Sequence, residues 1–338
     1  MPKISVIIPV FNMEKYVCEC LDSVLGQTLK DIEVIAVNDG STDSSLQLLK
    51  EYQSKDNRIK IINKENAGVG AARNDGIRAA VGEYLAFMDP DDLYASQDVL
   101  LHCYETAERE GVSVVGGRTL FLYKDGTTKE EPEKKVGNIT VSAKELTEYK
   151  NYQYDYGYVC FIYKRSLIVD NGIFFPPYTR FQDPPFFVRA MIAAQRFYAL
   201  DEAVYMYRQL PGVSKLTAAK TLDFLQGLLD NLRISKENGL AQLHYICAER
   251  LNTEGSYMIL HNSEDPSIKK ILSYAIKVAA EVDTEWLKNE GFITSEHFLP
   301  EVFAYMIATT AKYEKARKNR ILRGLLWGYL RWSNRRKK

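Results

Sequence analysis

The sequence predicts an α/β fold, with a mainly parallel sheet flanked by helices and then a C-terminal helical region. Two observations carry this. Short apolar, β-branched runs alternate with segments of helical periodicity at spacings of about 20–30 residues, which is the pattern of right-handed βαβ units. Polar residues also collect after each run, where the carboxyl ends of parallel strands form a common rim and ligands bind.

The run 4–10 is apolar and reads as a first buried strand, after which Tyr16, Val17, Cys20, Leu21, Val24 and Leu25 recur at helical spacing. A second strand over 32–37 ends in a polar turn, Asn38 to Asp43, rich in N-cap candidates for a helix over 43–56. The third strand is 59–62, and Asn66 to Asn74 leads into a helix ending near Ala80. The fourth run, Tyr84 to Met88, opens abruptly into Asp89, Asp91 and Asp92. Pro90 cannot donate to a ladder, so this strand is expected to end at Asp89 and project its carboxylates from the carboxyl edge. Two readings stand there: a plain acidic turn capping the next helix, or a site for a cation or a phosphate-linked ligand. The alternation places Asn12, Glu14, Asp39, Arg73 and the Asp89–Asp92 group on one rim.

Further along, a helix is expected to run to Gly111, a short strand over 112–116, and a strand and tight hairpin over 119–127, where Asp125-Gly126 favours the turn. Residues 128–157 are charged and Tyr-rich and read as a flexible loop or lid. Strand character returns at 158–163, and Asp183 stands where it would cap a helix started by Pro184 and Pro185. From Thr217 the pattern is helical: Leu222, Leu225, Leu228, Leu229 and Leu232 make one stripe, and 245–260 another, read as packing faces.

Composition narrows the function classes. The 46% apolar and 26% charged fractions are those of a globular protein. The five cysteines have no metal-like spacing and read as reduced thiols in a cytosolic compartment. A strand beginning almost at Met1 leaves no room for a signal peptide, and no apolar run of about 18 residues predicts a membrane span. The zero net charge hides an asymmetry. Residues 312–338 carry eleven Lys/Arg against one acid, Glu314, leaving 33 bases against 43 acids elsewhere. An acidic body of this kind is no nucleic-acid surface. In the tail, Ile321, Leu322, Leu325, Leu326, Tyr329 and Leu330 share a face bordered by Trp327, Trp332 and many bases. That pattern fits a peripheral anchor on an anionic membrane, or a helix docking on the acidic body or on a second subunit of a homodimer.

A dinucleotide-binding enzyme is the obvious rival, but the turn after the first strand, Phe11 to Glu14, holds no glycine, and Gly68 to Arg73 follows the third strand with Arg73 where the last glycine belongs. The same turn argues against a sugar-nucleotide nucleotidyltransferase, which usually carries a Gly-rich, basic turn there.

Five blocks in order, Val6 to Glu14, Val37 to Asp43, Asn66 to Asn74, Phe87 to Asp92 and Gln182-Asp183, closely resemble the family-two glycosyltransferases, of the bacterial surface-polysaccharide type. Tyr205 to Arg208 followed by Ser214 looks like the family's closing segment, and the resemblance spans roughly residues 1–215. It implies the GT-A (nucleotide-diphospho-sugar transferase) fold over 1–215, a helical region over 216–311 and the basic amphipathic tail over 312–338. By the resemblance, Pro9, Phe11, Asn12 and Glu14 line the nucleoside pocket, Asp39 accepts from the base, and Arg73 lies near the phosphates. Asp89 and Asp91 match the DxD pair, Asp89 facing the ribose and Asp91 binding Mn²⁺ or Mg²⁺, while Asp183 matches the general base of an inverting transfer. The implied partners are a nucleotide-sugar donor, UDP-linked, and a saccharide or lipid-linked acceptor. The family usually has Glu before this Asp and Trp after it; here Gln182 and Pro184 stand instead, which bears on acceptor geometry. A binding paralogue that has lost catalysis is the non-enzyme alternative.

Overall fold

The computed structural model describes residues 1–130, 145–210, 215–294, 299 and 302. Its first half follows the sequence closely. Strands β1 (Ile4–Val10), β2 (Ile32–Asp39), β3 (Ile59–Lys64) and β4 (Tyr84–Phe87) alternate with helices α1 (Val17–Leu25), α2 (Ser45–Lys55) and α3 (Val69–Ala79). The strands line up as β3-β2-β1-β4, all parallel, with Ile4 opposite both Ile32 and Tyr84. β1, β2 and β4 are buried along their whole length, which is why they read as continuous apolar runs rather than alternating ones. α3 lies tight against β1: a Cβ on Gly76 would come within 2.4 Å of Ile7 Cγ2, so glycine is what admits this approach.

Beyond β4 come β5 (Leu93–Tyr94), α4 (Val99–Glu110), β6 (Val114–Leu122), β7 (Thr128–Glu130), β8 (Glu145–Glu148), α5 (Tyr149–Tyr152), β9 (Phe161–Lys164), α6 (Arg165–Asp170), α7 (Asp183–Ala194) and β10 (Arg196–Arg208). Here the sheet turns mixed. β9 is inserted antiparallel between β4 and β6, and β10 runs parallel to β6 with β5 antiparallel on its other edge. The short strand expected at 112–116 and the strand of the hairpin are one element, β6, and the Asp125-Gly126 turn leads from it into β7 as expected.

The lid expected over 128–157 is corrected where the chain is described. β8 pairs with β10, and Tyr149 and Tyr152 are buried, the Tyr152 ring lying 5.1 Å edge-on from Phe197. Their tyrosines signal aromatic packing against the sheet. Residues 131–144 lie outside the described residues.

The C-terminal helices are α8 (Ala218–Glu237), α9 (Ala241–Arg250), α10 (Ser256–His261), α11 (Ile268–Glu281) and α12 (Thr284–Asn289), with a π-helical turn at Leu251–Gly255 joining α9 to α10. Leu225, Leu228, Leu229 and Leu232 of the expected stripe are buried. The five cysteines are free thiols; on α1, Cys20 is buried and Cys18 half-buried, as packing residues would be. No described helix is long and apolar enough to cross a membrane. The basic tail and Ser214 fall outside the described residues.

Candidate active site

The rim at the carboxyl ends of β1 and β2 is braced by side chains reading each other's turns. Asn12, with φ 55°, accepts the Thr42 N–H at 2.8 Å through Oδ1, and its own N–H donates to Ser41 Oγ at 3.1 Å. Glu14 accepts the Ser44 N–H and donates its N–H to Asp43, both at 3.0 Å. Phe11 is left 45% exposed on this rim, whereas Pro9 is buried in β1 opposite Val37. At the end of β2 the buried Asp39 carboxylate accepts the N–H groups of Ala67 and Gly68, at 2.9 and 2.8 Å. Gly68 is the N-cap of α3 and Ala67 the residue before it, so Asp39 holds the chain where that helix begins.

α3 carries Arg73, which is only 3% exposed. Its Nη2 donates to Asp89 Oδ1 at 2.7 Å and its Nη1 to Asp183 Oδ1 at 2.8 Å. The guanidinium lies over the rings of Tyr158 and Phe175, at 4.9 and 5.2 Å from their centres. A buried cation needs such partners to offset its lost hydration. Asp183 heads α7 but caps nothing: the helix N-cap is Gln182, no side-chain cap bond forms, and the Asp183 carboxylate goes to Arg73. Its Oδ2 has no hydrogen-bond partner among the described residues, and its side chain is 29% exposed. Burial pushes the Asp183 pKa up, against the opposing pull of Arg73 and with a further push from Asp89.

The three carboxylates after β4 take different surroundings. Asp89 binds Arg73, and Tyr158 Oη donates to the same Oδ1 at 3.5 Å. Asp92 is buried; it accepts the Tyr205 hydroxyl at 2.8 Å and the Arg208 N–H at 2.7 Å, and burial followed by repulsion from Asp89 and Asp91 raises its pKa. Tyr205 Oη in turn accepts the Asp89 N–H at 3.1 Å, so β10 clamps the acidic turn at both ends. The Asp91 carboxylate makes no hydrogen bond or ion pair to another described residue, and burial together with Asp89 raises its pKa. Its backbone carbonyl is held by Arg208 Nε at 2.7 Å. A hard-oxygen carboxylate without a protein partner suits Mg²⁺ or Mn²⁺, ions that complete their shell with waters and substrate phosphates. Among the described residues no three His, Cys, Asp or Glu groups converge into a cage.

The comparisons bear on this geometry directly. Residues 5–171 match the family described as "Glycosyl transferase family 2". Over that segment, just under half of the chain, the sequence is similar to family-two glycosyltransferases. It is 35% identical over 218 residues to EpsJ of Bacillus subtilis (strain 168), described as an uncharacterized glycosyltransferase, a match covering 62% of this chain and 62% of that protein. The chain thus spans about three fifths of that relative's length. Residues 1–349 of S. aureus TarS in complex with UDP-GlcNAc superpose with a TM-score of 0.63 at 24% identity, over 84% of this chain and 82% of that one. A mannosyltransferase from Pyrobaculum calidifontis, PcManGT, in complex with GDP-Man and Mn²⁺, superposes with a TM-score of 0.53 at 17% identity, over 94% and 88% of the two chains. The mixed sheet with flanking helices is the GT-A fold.

Of the expected site residues, Arg73 contacts both Asp89 and Asp183, the latter lying beyond the segment matched by the family, and Asp91 lies in the same acidic turn as Asp89. Asp39 acts on them at one remove through α3. Asn12 and Glu14 sit in the neighbouring turns, and Pro9 is set back inside the sheet. Sequence reasoning missed Tyr158 and Phe175 under the guanidinium, because an aromatic distant in the chain carries no mark of its stacking partner. Tyr205 and Arg208 were visible only as a motif. Replacing Tyr205 with Phe leaves a buried Asp92 oxygen without its donor, a loss of about 1–3 kcal/mol. Urea unfolding of Tyr205→Phe should show the drop in midpoint; an unchanged midpoint would contradict the clamp.

Proposed function

We propose that the chain is an inverting, metal-dependent glycosyltransferase that moves a sugar from a nucleotide-diphosphate donor, UDP-linked, to a saccharide or lipid-linked saccharide acceptor in surface-polysaccharide synthesis. The observation that carries it is the contact of one buried arginine with both Asp89 and Asp183; in this reading Asp89 is the donor-side and Asp183 the acceptor-side carboxylate.

In this reading Asp183 Oδ2 takes the proton of the acceptor hydroxyl as that oxygen attacks the anomeric carbon. The bond from the anomeric carbon to the diphosphate breaks on the opposite side, and the configuration inverts. Burial keeps the carboxyl more basic than an ordinary aspartate, which suits a general base. Arg73 holds Oδ1 and so aims the other oxygen, while its charge lies near the departing diphosphate. Asp91 would hold Mn²⁺ or Mg²⁺, which supplies positive charge to the leaving diphosphate. Pro9, the exposed Phe11, Asn12 and Glu14 line the nucleoside pocket, and Asp39 accepts from the base. The UDP-GlcNAc of TarS and the GDP-Man with Mn²⁺ of PcManGT support a nucleotide-sugar donor and a divalent ion on this fold. The division into 1–215, 216–311 and 312–338, the latter a basic tail resting on the inner face of the cytoplasmic membrane, belongs to the same proposal.

Asp183→Asn should lower kcat by about 10²–10⁴-fold while calorimetric UDP binding is kept. Full turnover in that variant would remove the base assignment. Asp91→Ala should abolish the Mn²⁺-dependent part of UDP binding; equal binding with and without Mn²⁺ removal, in both proteins, would refute the metal ligand.

A further inference from the structure

The segment leading into Asp183 is held almost entirely from the C-terminal helices. Thr179 donates its N–H and its hydroxyl to Asp223 of α8, at 2.8 and 2.7 Å, and the Tyr178 hydroxyl donates to Asp230 of α8 at 2.8 Å. Arg180 pairs with Glu254 in the π-helical turn. Phe181, two residues before Asp183, is in the left-handed region at φ 66°, which for a bulky side chain is strained and persists only when its surroundings impose it. Those surroundings are specific. The Phe181 ring meets Phe224 at 5.0 Å, and its backbone and ring lie so close to α8 that a Cβ on Gly227 would come within 2.5 Å of Phe181 Cδ1.

Arg250 of α9 also lies over that ring, its guanidinium 5.3 Å from the Phe181 centre and 4.5 Å from that of Tyr156. Arg250 makes a bidentate pair with the fully buried Asp155, at 2.6 and 3.0 Å, and Asn231 of α8 donates to the same carboxylate. An ion pair buried this deeply is a costly choice for stability alone, since well-packed apolar residues do as well or better. Its planar fork, fixed by two bonds, makes a rigid lid on Phe181.

We propose that Arg250, fixed by Asp155, is a positioning residue for the transfer reaction: it locks Phe181 in its left-handed conformation and thereby sets the direction of the Asp183 carboxylate. The C-terminal helices are on this account part of the catalytic apparatus, although among the described residues none of theirs makes a hydrogen bond or ion pair to Arg73, Asp89 or Asp183. The inference rests on the reading of Asp183 as the base. A misplacement of about 1 Å at such a group costs up to about 100-fold in rate.

The test uses the full chain with UDP-sugar and acceptor, and three variants. Phe181→Gly adopts φ 66° without strain, keeps the Arg250–Asp155 pair and removes the ring that Arg250 covers. The paired change Asp155→Asn with Arg250→Met removes the ion pair without stranding a buried charge. Asp183→Asn is the reference. Both positioning variants should lose about 10–100-fold in kcat with the Kd for UDP unchanged, and the acidic limb of the pH–kcat profile should move to lower pH as Asp183 becomes better hydrated. Phe181→Gly with unchanged kcat and an unmoved limb overturns the inference, whether or not the paired variant folds. If Asp183→Asn is fully active, the base assignment fails; if it is inactive while Phe181→Gly is unaffected, only the role of Arg250 fails.

Discussion

One buried guanidinium, that of Arg73, holds the two sides of the site together. It joins the carboxylate of Asp89, after β4, to that of Asp183, which heads α7 and lies 110 positions beyond Arg73. The cation is shared: with either carboxylate lost Arg73 would be held from one side only, and with the cation lost Asp89 and Asp183 would be left without their common partner. The arrangement also sets the chemistry. Arg73 draws the Asp183 pKa down while burial and Asp89 draw it up, so the basicity of Asp183 depends on both of these charged neighbours.

The rest of the fold can be read as support for that contact. Asp39 anchors the first turn of α3, Gly76 lets the helix close on β1, and Tyr158 and Phe175 floor the guanidinium. On the opposite side Tyr205 and Arg208 of β10 grip the acidic turn through Asp92 and the Asp91 carbonyl, which leaves the Asp91 carboxylate as the member of the group not engaged by another described residue. The three neighbouring carboxylates thus have three distinct environments because their partners differ, not their chemistry.

The parallel half of the sheet was legible because both of its faces are covered, which makes β1, β2 and β4 plain apolar runs, and because βαβ units put the polar turns on one rim. β9 was legible as a strand but not as an antiparallel insertion, since nothing in four residues between covered faces encodes direction. The Tyr-rich stretch misled for a physical reason: tyrosine is at home on a wet loop and in a packed core alike, and only the partner, Phe197 for Tyr152, decides. Asp183 was found as a candidate base from its place in a motif, yet its contact with Arg73 was invisible, as were Phe181 with its φ and the Arg250–Asp155 pair. Such contacts join segments far apart in the chain, and one sequence records the residues without the pairing.

The most direct test of the Arg73 bridge is the pH dependence of kcat/KM for Arg73→Met, in folded protein, beside the unaltered chain. Because Arg73 lowers the Asp183 pKa, its removal should move the acidic limb to higher pH along with the loss of rate. A limb that stays in place, with kcat/KM undiminished, would contradict the account.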